Sequence, residues 1–567
     1  MKKNYFNYTR IKDKYLLTND LGRYAFLSKE EMYRFLTDQL KPEEGLTTKL
    51  KENYFLYDTS DHAFVEEAGA AFREYRQNLF QGAALHIFVL TKQCNQQCVY
   101  CQASTDMERS SMSFETAERA VDVALQSPAK YITFEFQGGE PLMNFETLKH
   151  IVEYTEQQET DKVIDFSMVS NLMLLNDEKL MFLKEHGVSI CTSLDGDEIL
   201  HNRNRPYFKK NSFEVLKEKI HMVQQQELQI SAIQTTTRYS FERYRELVDQ
   251  YISYGMTQIF IRPLTPLGYA EQHWDSIGYS SEEFLEFYKN ILEYIIELNR
   301  NGTFIAEGHA KIFLNKIINH DAGNYMELRS PCGGAIGQMA YYHNGKVYSC
   351  DEARMLAEMG DDSFCLGNVY RDSYNDLMGS SVCKVLARAS CLEGLTDCCD
   401  CAFHPYCGTC PVISYARYKT VYPALAEEYR CQIYKGIQKM PYVDETLAEL
   451  NKKYKLYIIT NGVAKTQTHR MKNSGLDKYF EKSFISEEIG SNKPSKLFFN
   501  FVKTNIDNFD SSKALVIGDS LTSDIKGGND AKIDTCWICK EGTINNSDIK
   551  PKYIIHSLKD LFNILEI

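Results

Sequence analysis

What this 567-residue sequence lacks narrows its function first. No run approaches the ~18 consecutive apolar residues of a membrane span. The opening MKKNYFNYTR has no apolar core of a signal peptide, so a cytoplasmic protein without a membrane partner is expected. A basic excess is also missing. The formal net charge is -13, whereas a nucleic-acid partner needs a basic face for its phosphates. There is no internal repeat and no low-complexity tract, and no Pro/Gly/Ser-rich linker where the texture changes near 441. With 43% apolar and 25% charged residues the composition is that of an ordinary soluble globular protein. The length predicts three or four domains.

What the chain does have is cysteine, seventeen in all. A reducing compartment argues against a disulfide framework, and the placement is uneven. Three sit at 94–101, eleven fall from Cys332 to Cys431, and only Cys191, Cys536 and Cys539 lie elsewhere. Such clustering reads as metal binding. The first group, TKQCNQQCVYCQAS, spaces Cys94, Cys98 and Cys101 as C-x3-C-x2-C directly after the apolar run 85–90, LHIFVL. Three thiolates leave a 4Fe-4S cluster one ligand short, and an open metal position is where chemistry happens. Zinc is the rival, but it would call for a second cysteine pair roughly 12–20 residues on, and none occurs before Cys191. Tyr100 and Val99 suit a loop that covers a cluster. Cys191, in a mostly apolar strand, reads as core.

Residues 1–80 read as a hairpin around Asn19-Asp20-Leu21-Gly22 followed by a helix capped by Ser28, with Glu30 and Glu31 in its first turn. Plain packing is the primary reading of this module, peptide docking the second. From 84 to 265, β-like runs at 85–91, 131–137, 163–170, 188–194, 229–236 and 257–262 alternate with helix-length stretches. Six such units predict a parallel sheet curled as a partial (β/α)6 TIM-type barrel, with its active site on the loops after the strands. Residues 266–330 are helical and carry no readable motif. A cysteine-rich domain spans 331–437, and a lysine-rich α/β pattern runs from 440 to 567.

The second strand ends in Gly138-Gly139-Glu140-Pro141. The glycines permit close backbone approach to a ligand, and Glu140 offers an anion to an amino group. Together with the three-cysteine loop, this resembles the radical S-adenosylmethionine (SAM) enzymes. The resemblance implies a 4Fe-4S cluster on Cys94, Cys98 and Cys101 that binds SAM at its open iron and yields a 5′-deoxyadenosyl radical. It places Gly138, Gly139 and Glu140 at the SAM amino group. Ser170, Ser193 and Asp195 then lie near the ribose and carboxylate or the substrate. Ser170 and Arg262 read equally well as ordinary polar caps of strand ends. The later cysteines resemble the SPASM extension with its two auxiliary 4Fe-4S clusters. That implies Cys398, Cys401, Cys407 and Cys431 around one cluster, and Cys332, Cys350 and Cys410 around the other with Cys365 as a fourth ligand. Cys399 competes with Cys398, while Cys383 and Cys391 read as bystanders. The Cys407–Cys410 spacing of two residues departs from the family's three. A zinc ribbon over 398–410 is the rival there.

Several phrases, among them YLLTNDLGRYAFLS and YCGTCPV, are similar over about 1–437 to the His-Xaa-Ser system radical maturase. The implied partners are a ribosomally made peptide with His-Xaa-Ser repeats and an electron donor such as flavodoxin or ferredoxin. Two alternatives stand beside it: an anaerobic sulfatase-type maturase oxidising Cys or Ser, and a zinc-binding peptide scaffold without catalysis. From 440 onward the chain resembles the haloacid dehalogenase (HAD) superfamily, in its pyrimidine-nucleotidase branch. Thr460, Asn461 and Gly462 would bind phosphate, Lys493 would neutralise it, and Asp519 and Asp524 would hold magnesium. The family's nucleophilic Asp, carried on a central strand, is missing, since no Asp lies between Cys401 and Met440. The expectation is an incomplete Rossmann-like domain with a deficient magnesium site and no phosphatase activity.

Overall fold

The computed structural model describes residues 1–567 except 12–13, 59–61, 103–109, 209–210, 319, 321–322, 324, 438–453, 462–479, 540–544, 546, 556–560, 562–563 and 565–567. The first described stretch of the HAD-like segment therefore begins after the sequence boundary at 440. The chain divides into two compact units. One holds Met1–Thr9, Leu16–Phe26 and Thr37–Gln438; the other holds Arg10–Tyr15, Leu27–Leu36 and Lys439–Ile567.

The first unit is built on a nine-stranded sheet. Six strands, Leu85–Val89, Tyr131–Gln137, Val163–Ser170, Ser189–Ser193, Ile230–Thr235 and Ile261–Arg262, pair in parallel with their sequence neighbours. Parallel pairing needs long crossovers. Helices such as Phe114–Leu125, Phe145–Glu156, Asp177–Glu185 and Ser212–Gln225 supply them. Ser113, Asn176 and Asn211 start three of these helices by accepting an N–H of the first turn. Period-two patterning sets the faces: Ile132, Phe134 and Phe136 are buried, whereas Thr133, Glu135 and Gln137 between them are only half-buried. Each fully buried helix side chain, such as Leu148 or Ile151, contributes about 1.5–3 kcal/mol.

Beyond the first strand the sheet continues into the cysteine-rich region. Gln338–Tyr341 pairs in parallel with Leu85–Val89 in the register Gln338↔Leu85 to Tyr341↔Phe88. Lys346–Tyr348 and Cys365–Asn368 then follow antiparallel. Buried His86 meets Tyr341 Oη at 2.9 Å and the Ala83 carbonyl at 3.1 Å, tying the two regions beneath the sheet. The cysteine-rich segment is thus an extension of the barrel sheet. The N-terminal module is tied to it as well. Asn7 donates to the carbonyls of Cys399 (2.8 Å) and Cys401 (3.3 Å), and Thr18 donates to that of Ala402 (2.9 Å).

The sixth strand is shorter than the expected 257–262. Ile261–Arg262 pairs with the fifth strand, while Gln258–Ile259 pairs with Ala306–Glu307 in a separate two-stranded sheet. The cause lies in the connector whose sequence carried no motif. Glu307 is 3% exposed and accepts from the Ile261 N–H (3.1 Å), the Ala310 N–H (2.8 Å) and the Tyr288 hydroxyl. Its carboxylate takes a place in the ladder that a carbonyl would otherwise fill.

In the second unit, Tyr457–Thr460 pairs in parallel with Lys482–Ile485, and Leu515–Gly518, Asp534–Ile538 and Tyr553–Ile555 form a separate parallel sheet. Among the described residues these five strands do not join into one sheet.

Glu307→Ala is expected to strand three buried donors and to lower the stability of the first unit by roughly 2–4 kcal/mol. Chemical denaturation of the metal-free protein measures it. A change within ±0.5 kcal/mol would contradict this role.

Candidate functional site

The loop that follows the first strand carries Cys94, Cys98 and Cys101, all half-buried. It is anchored from both sides. The Gly139 N–H donates to the Thr91 carbonyl and the Glu140 N–H to the Gln93 carbonyl, each at 2.8 Å. A Cβ on Gly138, whose φ is +149°, would lie 2.4 Å from Thr91 O, and one on Gly139 2.3 Å from Gln93 O. The glycine pair therefore approaches the backbone of the cysteine loop itself, whereas the sequence suggested close approach to a ligand. On the loop's far side, the Gln97 and Val99 N–H groups donate to the carbonyls of Pro206 and Asn204.

Glu140 is 1% exposed. It accepts from Ser170 Oγ (2.6 Å) and the N–H groups of Leu142 (3.0 Å) and Asn171 (2.8 Å). Burial pushes its carboxyl up while these hydrogen bonds pull it back. Glu140 and Ser170 thus lock the ends of two strands together. The Asn171 side chain reaches on to Asn95 (2.7 Å) and to Cys94 Sγ (3.7 Å).

Asp195 is fully buried and accepts from Tyr100 Oη (2.7 Å), Arg205 Nε (3.3 Å) and the Thr235 N–H (3.2 Å). Arg205 also donates to Tyr100 Oη at 2.8 Å. A buried ion pair thus holds the ring inside the cysteine loop. No motif marked Arg205 or Asn204 in the sequence, because both act through the fold. Ser193 ends the fourth strand half-buried.

The thiols sense one another. Burial raises Cys94 well above the ordinary thiol range, with Cys98, Glu140 and Cys101 adding to it. Burial likewise pushes Cys98 up to about 12, opposed by Arg205 and reinforced by Cys101. Close negative neighbours of this kind are what a bound cation would offset.

The later cysteines form two groups. Cys398, Cys401, Cys407 and Cys431 line one pocket with Leu392, Leu425 and Lys435. Burial disfavours the Lys435 ammonium, but the four sulfurs outweigh that and hold it charged. Cys332, Cys350 and Cys410 make the second group, the latter two at the N-caps of helices Asp351–Glu358 and Pro411–Tyr418. Cys365 is engaged elsewhere: its thiol donates to the Gly367 carbonyl at 3.4 Å and its charged neighbours are Asp362 and Lys346. Cys399 donates to the Thr396 carbonyl, Cys391 to Glu393, and Cys383 is core. Among the described residues no three His, Cys, Asp or Glu side chains converge tightly enough to hold a single metal ion. A 4Fe-4S cube asks for something else, one thiolate on each of several irons, and the three cysteine groups fit that donor set.

Between barrel and extension lies a charge cluster that sequence reading missed. Glu327 accepts from Arg262 (3.0 Å) and Arg430 (3.1 Å), and Arg430 also donates to Thr265 (3.2 Å). Glu327 sits in the motif-free connector, so only Arg262 was singled out. The two guanidinium groups overcome the burial cost and hold its carboxyl down at about 2.

Residues 88–277 match the family model described as "Radical SAM superfamily". They form a radical SAM domain. Residues 412–538 match the model for haloacid dehalogenase-like hydrolases, so the C-terminal segment is HAD-like. Over 143 residues the chain is 38% identical to the pyrimidine 5′-nucleotidase PynA of Streptococcus pneumoniae, covering 25% of this chain and 60% of that protein. The chain spans about three-fifths of the length of the HAD-type relatives it matches. It is 23% identical over 372 residues to the cysteine-type anaerobic sulfatase-maturating enzyme of Clostridium novyi, covering 63% of this chain and 95% of that enzyme. A solved structure of native anSMEcpe with bound AdoMet superposes at TM-score 0.54 and 19% identity, over 62% of this chain and 95% of that one. The fold is therefore that of a radical SAM TIM-type barrel. The family implies a 4Fe-4S cluster and SAM.

In the HAD-like segment Asn461 exchanges hydrogen bonds with the Lys493 backbone (2.7 and 3.0 Å), and Lys493 Nζ donates to Asp524 (2.6 Å). Thr460 is nearly buried, and Asp519 pairs with Arg10 of the same unit at 3.0 Å. Gly462 lies outside the described residues.

Gly139→Ala should displace the 91–93 backbone and prevent stable assembly on Cys94, Cys98 and Cys101. The expected result is about four fewer irons per chain after reconstitution; undiminished iron would contradict the packing argument.

Proposed function

We propose that the chain is a SAM-dependent radical maturase of a ribosomally made peptide or protein, with a catalytically incomplete HAD-like tail. The observation that carries this reading is the gathering of Cys94, Cys98 and Cys101 beside the Gly138–Glu140 turn, on the loops after the parallel strands. Cys94, Cys98 and Cys101 would hold a 4Fe-4S cluster, which would supply the reducing power for SAM cleavage and, through it, hydrogen abstraction from the substrate.

The chain's own residues position and shield. The Gly138–Glu140 turn would meet the SAM amino group. Ser193 and the half-buried faces of Glu135 and Gln137 give the cofactor and substrate a polar lining. Tyr100, Asp195 and Arg205 keep the cysteine loop from relaxing outward. Cys398, Cys401, Cys407 and Cys431, and separately Cys332, Cys350 and Cys410, serve two auxiliary clusters. Such clusters would ligate the substrate or accept the electron left after its oxidation, and an electron donor of the flavodoxin or ferredoxin class is the expected partner. The cysteine-type relative from C. novyi and a serine-type anaerobic sulfatase-maturating enzyme support the maturase class, and a sulfatase-type maturase oxidising a Cys or Ser side chain is the second reading. A peptide with His-Xaa-Ser repeats is the preferred substrate, on the phrases YLLTNDLGRYAFLS and YCGTCPV that resemble the His-Xaa-Ser system radical maturase. The zinc scaffold predicts zinc in place of iron.

Two measurements test this. Anaerobic reduction in the presence of SAM should release 5′-deoxyadenosine, and Cys98→Ala should abolish it; zinc without iron, or no cleavage by iron-loaded protein, sinks the proposal. The tail should release no phosphate from nucleotides or generic phosphate esters. A steady release abolished by Asp519→Asn would overturn the claim of inactivity.

A further inference from the structure

The opening module contributes residues 10–15 and 27–36 to the same compact unit as the HAD-like segment. The two meet at a carboxylate. Arg10 and Asp519 stand 509 positions apart in the chain, yet Arg10 Nη2 donates to both oxygens of Asp519, at 3.3 and 3.0 Å. Asp519 directly follows strand Leu515–Gly518, and its carbonyl accepts from the Trp537 indole N–H at 3.1 Å, so the backbone behind the carboxylate is fixed. The second carboxylate is closed as well. Asp524 is 6% exposed; one oxygen accepts from Lys493 Nζ (2.6 Å) and the other from the Ser520 N–H (3.2 Å). Lys493 Nζ is itself anchored on the Ile459 carbonyl at 2.7 Å.

Each oxygen of the two carboxylates therefore has a protein donor, and two of the donors are cations. Asp519 and Asp524 are the residues to which the HAD resemblance assigns magnesium, and magnesium does not fit among these partners. It takes near-octahedral oxygen ligands at about 2.0–2.1 Å and gives up water reluctantly. To reach both carboxylates it would have to displace a guanidinium and a buried ammonium, charges of its own sign. Lys493 belongs to the HAD-like segment, whereas Arg10 lies far outside the matched residues 412–538. The cation on Asp519 thus comes from outside the HAD sequence.

We infer that Arg10 is a built-in counter-ion that replaces magnesium at Asp519, and that this face of the tail is an intramolecular docking surface for the Arg10 end of strand Asn7–Ile11. The inference goes beyond the proposed inactivity of the tail. It excludes a metal from the degenerate site and gives that site a use, as an anchor for the opening module. Asp519 is then a positioning residue, and it acts through its charge on Arg10 alone.

The test uses the full chain. Hydrogen exchange of the amides around Arg10 reads the pairing, and EPR of added manganese, standing in for magnesium, reads the metal. At millimolar manganese the wild type should hold no ion that Asp519→Asn lacks. Exchange around Arg10 in the wild type should be the same with magnesium as with a chelator. Arg10→Ala and Asp519→Asn should each speed it by about two- to fivefold, the range of a partly exposed ion pair. The reversed pair, Arg10→Asp with Asp519→Arg, guards against misfolding. It should restore the wild-type rate, although it leaves no carboxylate at 519 for a metal. The inference is overturned if the wild type binds one manganese that Asp519→Asn loses, or if magnesium slows exchange in the wild type. It is equally overturned if neither single variant speeds exchange, or if the reversed pair exchanges like the single variants. Manganese binding without phosphate release removes this inference alone; magnesium-dependent phosphate release lost in Asp519→Asn removes the inactive-tail reading with it.

Discussion

The parallel pairing of Gln338–Tyr341 on Leu85–Val89 is the constraint on which the rest of the first unit depends. It joins strands whose buried partners His86 and Tyr341 are 255 residues apart in sequence. One strand thereby serves two neighbours: its barrel side leads into the Cys94–Cys101 loop, and its other side leads through the Lys346–Tyr348 hairpin to Cys350. A parallel sheet tolerates no free hydrogen-bonding edge in its interior. The pairing is therefore cooperative, and the cysteine groups inherit their relation from it.

Charge is placed in the same layered way. Arg205 neutralises Asp195 behind the cysteine loop, and Arg262 and Arg430 converge on Glu327 between the barrel and its extension. Buried pairs of this kind are weak evidence for stability, since desolvation offsets much of their attraction. What they do is fix geometry, because a buried charge that loses its partner is costly. Asp195 holds Tyr100, and Tyr100 lies between two of the cysteines. A sequence motif located Asp195 at a strand end; the fold turned it toward the loop's support.

The α/β barrel was legible because its signals are local. Period-two strands separated by helix-length segments read directly as crossovers, and five of the six expected strands have the expected positions. The sixth was misjudged in length because Glu307, from a connector without a motif, enters its ladder. The Gly138–Gly139 pair was legible as a close approach, but its partner, the Thr91–Gln93 backbone, was not. The identity of the neighbour at a glycine is a tertiary fact. The same holds for Arg205, Asn204 and Glu327, whose partners are far off in sequence and whose surroundings carry no periodicity.

By itself the sequence determined which cysteines exist, their grouping into three sets, the barrel that presents the first set, and the absence of a nucleophilic Asp ahead of the HAD-like segment. These are matters of spacing and composition, fixed along the chain. Only the tertiary structure decided that Cys365 is turned to the Gly367 carbonyl and away from the other thiols, and that Glu327 gathers Arg262 and Arg430. The physical reason is that a cluster's ligands are chosen by where side chains point in space. Helix N-caps and strand register set those directions, and the spacing of residues along the chain does not.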